Sequence, residues 1–143
     1  MTDSNSENTV VFGRNEALDD IALEIAHLRT IEAINWMAYE CYKCSADHGF
    51  WDLQVVGGQI VPRNKGEMIA LIHSELSEAL EAVRHGNPPS EHIPDFSGEE
   101  EEMADAVIRI MDYCAGHGLR LGEAIHAKYH FNMNRPKMHG KKF

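Results

Sequence analysis

Apolar and polar positions follow one another along this chain with a helical period. From Glu16 to about Cys44, Leu18, Ile21, Ile25, Leu28, Ile34, Met37 and Cys41 recur at steps of mainly three and four. That spacing lines side chains along one face of an α-helix, and His48-Gly49 ends it. A second helix is predicted from about Lys65 to His85, with Ile69, Ile72, Leu76, Leu80 and Val83 as its buried stripe. Asn64 can cap it, with Glu67 three residues on, and Gly86-Asn87-Pro88-Pro89 stops it. A third helix starts in the run Glu99 to Glu102, with Ser97 as its cap, and reaches about Gly116. Met103, Val107, Ile110 and Cys114 form its apolar side, and acids in its first turn suit the helix dipole. After Gly-His-Gly-Leu-Arg a shorter fourth helix runs through Leu121, Ala124, Ile125 and Tyr129. Between the first two helices, residues 49–63 carry aromatic residues, Gly57-Gly58 and Pro62. A loop with a short helix is expected there, a small hairpin being the alternative.

The pattern gives an all-α fold, a helical bundle of four to five helices. Residues 1–15, rich in Ser, Asn and Asp, read as a flexible tail, and 16–143 as a single domain. Three or four short amphipathic helices can leave an apolar face to bury against another subunit.

Two acidic pairs change the picture. Glu75-x-x-Glu78 and Glu102-x-x-Asp105 each place both carboxylates on one side of a helix, ~60° apart. Glu75 and Glu78 lie at the edge of the buried stripe, where unpaired carboxylates are costly. Two such helices face to face would gather four carboxylates, which repel one another unless a cation neutralises them. Hard oxygen ligands suit Mg²⁺, with Mn²⁺ as the alternative. Taken alone, the stripe Glu102, Asp105, Arg109 and Asp112 also reads as an exposed charged face. Salt bridges at a half-wet interface are the structural alternative for the first pair.

Net charge is −10, from 23 acidic and 13 basic residues. That disfavours nonspecific binding to duplex nucleic acid or to a membrane. Lys128, Arg135, Lys137, Lys141 and Lys142 nonetheless crowd the C-terminal segment, with Asn132 and Asn134 among them. Such groups partner phosphate oxygens, or else form a solubilising basic tail or an oligomer contact. No apolar run is long enough to span a bilayer, and the polar N-terminus lacks a signal core, so a cytoplasmic location is expected. Three cysteines make a disulfide framework unexpected. Cys41-x-x-Cys44, with His48 and Cys114 as conceivable further zinc ligands, reads rather as small apolar residues at a helix interface.

The stretch IHSELSEALEAVR, followed by EEEMADAVIRIMDY, resembles the Glu-x-x-Glu…Glu-x-x-Asp signature of MazG-like nucleotide pyrophosphohydrolases, of the all-α NTP pyrophosphatase superfamily. The ending KYHFNMNRPKMHGKKF is similar to the Lys…Asn-x-x-Arg-Pro…His-Gly-Lys ending of some small members. The resemblance covers about residues 64–143, and the first 60 residues match less clearly. It implies a helical bundle assembling as a homodimer or dimer of dimers, and Mg²⁺-dependent cleavage of a nucleoside triphosphate to monophosphate and pyrophosphate. That activity would serve nucleotide-pool house-cleaning. By motif position it makes Glu75, Glu78, Glu102 and Asp105 the catalytic metal ligands, and Lys128, Asn132 and Arg135 triphosphate contacts. It also brings His139 near substrate. One of the four acids, or Glu81, would accept the proton of the attacking water. Trp51 or Phe50 could stack on the base. Trp36, on its helix, is assigned to core packing, and His73 to a packing or surface role. The alternative function is a non-catalytic helical oligomer acting as an interaction module. A di-iron bundle ranks below both, because no Glu-x-x-His accompanies the pairs.

Overall fold

The computed structural model describes residues 16–136. The expected N-terminal tail, and Lys137, His139, Lys141 and Lys142, lie outside the described residues. The chain is mainly helical. The order is α1 (Glu16–Asp47), β1 (Gln54–Val56), β2 (Gln59–Val61), α2 (Lys65–Arg84), α3 (Gly98–Gly116) and α4 (Leu121–Met133).

The strands form the small hairpin, not the short helix. They pair antiparallel, with Val55 opposite Ile60. Gly57 and Gly58 make the turn with φ of 59° and 79°. Two successive positive φ values are what a two-residue hairpin turn needs, and Gly-Gly accepts them without strain.

Helix α3 lies between α2 and α1, and α4 packs on α1 and touches α3. Neither α1 nor α4 approaches α2. Four helices in such an open row cannot close a core on all sides. The buried apolar residues are accordingly few and mostly small: Ala38, Cys41, Met68, Ala79, Ala106 and Cys114. Small side chains let helix backbones come close, while the large ones stay out. Ile69, Leu76, Leu80 and Val83, the stripe expected to be buried, are 44–50% exposed. Met103, Val107 and Ile110 on α3 are 37–49% exposed. Hydrophobic periodicity marks the faces that avoid water, not the neighbour that covers them. Trp36 is likewise 63% exposed on α1, and core packing is not its role within one chain.

Two glycines permit close approaches. A Cβ on Gly122 would stand 2.6 Å from the Ile31 carbonyl oxygen. The Gly122 N–H donates to Asn35 Oδ1 at 2.9 Å, and Asn35 Nδ2 donates to Glu123 Oε2 at 2.9 Å. Arg120 at the N-cap of α4 makes no side-chain cap bond, so Asn35, reaching across from α1, satisfies the first turn instead. At the other end of α1, Trp51 folds back on α3. A Cβ on Gly116 would meet its ring at 2.1 Å.

Candidate functional site

The registers of α2 and α3 are set by their caps. Asn64 accepts from the backbone N–H groups of Gly66 and Glu67 at 2.8 and 3.2 Å. Ser97 and Glu100 make a reciprocal capping box. The connection between the helices is braced throughout. Asn87 and Glu99 exchange hydrogen bonds at 3.1 and 2.9 Å. Ser90 is buried, and its Oγ accepts from the His92 and Ile93 N–H groups at 3.1 and 2.9 Å. This loop carries Glu91 and His92 to the mouth of a cleft between α2 and α3.

That cleft, of about 430 Å³, is lined by Glu75, Glu78, Glu91, His92, Glu101, Glu102, Asp105 and Arg109. Oxygens of Glu75, Glu78 and Glu102 all lie within 4.8 Å of one another. Asp105, one turn on from Glu102, lines the same cleft outside that closest group. The stripe that read as an exposed charged face on an isolated α3 therefore turns toward its neighbours. Arg109 Nε donates to Glu75 Oε1 at 2.5 Å. Asp112 accepts from Trp51 Nε1 at 2.7 Å and from Ser45 Oγ at 3.2 Å.

The electrostatics follow from crowding. Glu75 is 5% exposed. Burial, then the charge of Glu78, then Glu75, push the Glu102 carboxyl above its ordinary value. Burial, then Glu75 and Glu101, push Asp105 up too, against Arg109 and His92. Glu101 behaves oppositely, because Ser90 and then His92 stabilise its charged form. His92 Nδ1 lies 2.7 Å from Glu101 Oε1. Among the described residues, six acids of the cleft thus face one arginine and one histidine. Hard oxygen donors, short of positive charge and partly buried, fit a hard divalent cation.

A second cavity, of about 670 Å³ and mostly apolar, adjoins the cleft. Met37, Cys41, Phe50 and Ile108 contribute its apolar surface, and Asp105 and Arg109 belong to both walls. Arg63 reaches into this wall with its guanidinium 5.3 Å from the Trp51 ring centre. Its Nη1 is buried without a hydrogen-bond partner among the described residues.

The remaining candidates lie elsewhere. Trp51 lines neither cavity; its ring packs edge-on against Tyr42 and His117, each with centroids 5.3 Å away. Its neighbour Phe50 lines the apolar cavity. Lys128, Asn132 and Arg135 are exposed at the end of the row remote from α2 and line neither cavity. Lys128 Nζ sits 4.6 Å from the Phe131 ring centre, and Arg135 leans on the same ring. Glu81 is exposed and paired with Arg84, and His73 is exposed. Cys41 and Cys114 are buried and Cys44 exposed, all as free thiols. Sequence reasoning passed over Arg63, Glu91 and Glu101. Only the excess of acids before α3 hinted at the last, and nothing local marks Arg63.

Compared with protein-family models, curated proteins and solved structures, the chain matches none.

Proposed function

We propose that this chain is a divalent-cation-dependent nucleoside triphosphate pyrophosphohydrolase, releasing a nucleoside monophosphate and pyrophosphate, in keeping with nucleotide-pool house-cleaning. One observation carries the reading: an acidic cleft and a mostly apolar cavity share a wall made by Asp105 and Arg109. A nucleotide has the same division, a charged phosphate chain beside a flat ring, and cavities of this size hold small molecules.

In this reading Glu75, Glu78 and Glu102 hold Mg²⁺, or Mn²⁺, with Asp105 beside them. The ion, when bound, neutralises phosphate charge and activates water for attack on the α-phosphorus. One of the acids of the cleft takes that water's proton. Arg109 offers the phosphate chain a cation from the shared wall. The base enters the apolar cavity, where Phe50 provides a ring face and Arg63 an unpaired donor for a base oxygen or nitrogen.

Lys128, Asn132 and Arg135 serve this substrate only if a second copy brings its α4 to the cleft. The exposed apolar stripes of α2 and α3 offer such a copy a place to dock, as a homodimer or within a dimer of dimers. The second reading, a non-catalytic helical oligomer, is favoured by the Glu75–Arg109 pair, which neutralises the most buried acid without a metal. A panel of nucleoside triphosphates incubated with magnesium and analysed by chromatography separates the two. Expected are monophosphate and pyrophosphate, and loss of turnover in Glu78→Gln and Asp105→Asn with unchanged helical circular dichroism. Activity undiminished in excess EDTA, or no cleavage of any triphosphate, overturns the enzyme reading.

A further inference from the structure

Away from the acidic cleft, three histidines meet between α1 and α4. His27 projects from α1; His126 and His130, one helical turn apart, project from α4. Ring centroids are 4.8 Å apart for His27–His126, 5.1 Å for His27–His130 and 4.4 Å for His126–His130. All three are half-buried, and one ring nitrogen from each lies within 4.8 Å of the others. Among the described residues no carboxylate bonds to these rings, so an ion-pair role does not account for them.

We propose that His27, His126 and His130 form a three-imidazole site for a borderline divalent transition metal, Zn²⁺ foremost, that fastens α4 to α1. Imidazole nitrogen favours such ions over Mg²⁺, and three protein nitrogens with water in the fourth position complete a tetrahedral zinc, as in zinc sites with three protein ligands. The geometry is close to what the ion requires. Zinc–nitrogen bonds of about 2.0–2.1 Å set tetrahedral nitrogen–nitrogen edges of about 3.3–3.4 Å. His126 Nε2 and His130 Nε2 are 3.1 Å apart. Two histidines at i and i+4 on one helix face are a ready chelate. The His27 nitrogen closes the third corner by moving in by at most about 1.5 Å, within the reach of a ring rotation. The location gives the site a purpose. Asn35 secures the first turn of α4, and the histidines stand farther along the same contact. A metal would pin the helix at a second point.

The test is a calorimetric titration of the untagged full chain with Zn²⁺ alone. Excess Mg²⁺ is included to compete for the acidic cleft, and a Cys44→Ser background limits thiol binding. One equivalent is expected to bind, and His126→Ala and His27→Ala to weaken it by at least the roughly 10–100-fold that loss of an outer-shell partner costs. A milder His130→Gln variant keeps the comparison usable if an alanine variant unfolds. Independently of any variant, Co²⁺ added to the parent chain is expected to give the visible bands of a tetrahedral nitrogen site without thiolate charge transfer. No saturable Zn²⁺ binding, binding indifferent to the histidine variants, or thiolate bands with Co²⁺ would each overturn the proposal.

Discussion

Replacing Glu102 with Gln removes one of three crowded charges while keeping the side chain's shape. Its effect should reverse sign with metal. Two unit charges at the 4.8 Å limit of the Glu75–Glu78–Glu102 group repel by about 3.5 kcal/mol at an effective dielectric near 20, and by about 0.9 kcal/mol at that of water. Glu78 is exposed and Glu102 half-buried, so screening brings the relief to about 1–2 kcal/mol. For a domain of this size that is about 3–8 °C in melting midpoint. Thus in EDTA near neutral pH, Glu102→Gln should be more stable than the parent. With divalent cation at about 100 times its Kd, the parent should gain about 2.7 kcal/mol, and the variant most of that less. The pH dependence has a defined sign. A carboxyl held above its ordinary value keeps its proton longer in the folded state. Its stabilising influence is therefore complete below the unfolded pKa and is lost as pH rises through the folded one. The metal-free parent should weaken as pH climbs from the ordinary glutamate value of 4.5, and the Gln variant should weaken less. Thermal melts followed by circular dichroism, with EDTA and with a magnesium series, read all three effects. If Glu102→Gln leaves both the metal-free midpoint and the metal increment unchanged, the three acids do not share a cation.

Arg109→Met strips Glu75 of its partner inside the cleft. Since Arg109 is itself 44% exposed, the cost is set below that of a fully buried pair, at about 2 kcal/mol in EDTA, and magnesium should restore part of it in the same melts. Leu80→Glu, on the outward stripe of α2, should leave helix content intact and halve the mass seen by sedimentation equilibrium; an unchanged mass would refute docking through that face. Gly122→Ala puts a methyl group against the Ile31 carbonyl and should cost about 1–3 kcal/mol. Hydrogen exchange should show the loss in α4 first, and uniform loss across all helices would contradict the Asn35 clamp.

The helices were legible because periodicity and capping are local. Asn64 and Ser97 do at the starts of α2 and α3 what their sequence context implies. Gly57-Gly58 signalled a hairpin turn, but strands of three residues each are too short for alternation to show, which left a short helix competitive. The closeness of Glu75, Glu78 and Glu102 followed from two acidic pairs on helices joined by one loop. Which faces those helices turn inward did not follow. On α3 the charged side meets α1 and α2, and Met103, Val107 and Ile110 are left outward while Cys114 is buried, an arrangement that periodicity alone cannot rank. The histidine group was invisible for another reason. His27 and His126 lie far apart along the chain, and only the packing of α4 on α1 brings them together.

The position of Arg109 has a consequence for the order of events. Among the described residues it is the one arginine that lines both chambers, and Glu75 already holds it from one side. Any guest in the apolar chamber that draws the guanidinium toward itself leaves Glu75 short of its counter-ion and hungrier for a cation. By reciprocity, a cation arriving first frees Arg109 to greet the guest. On the proposed reading, filling either chamber would therefore favour filling the other.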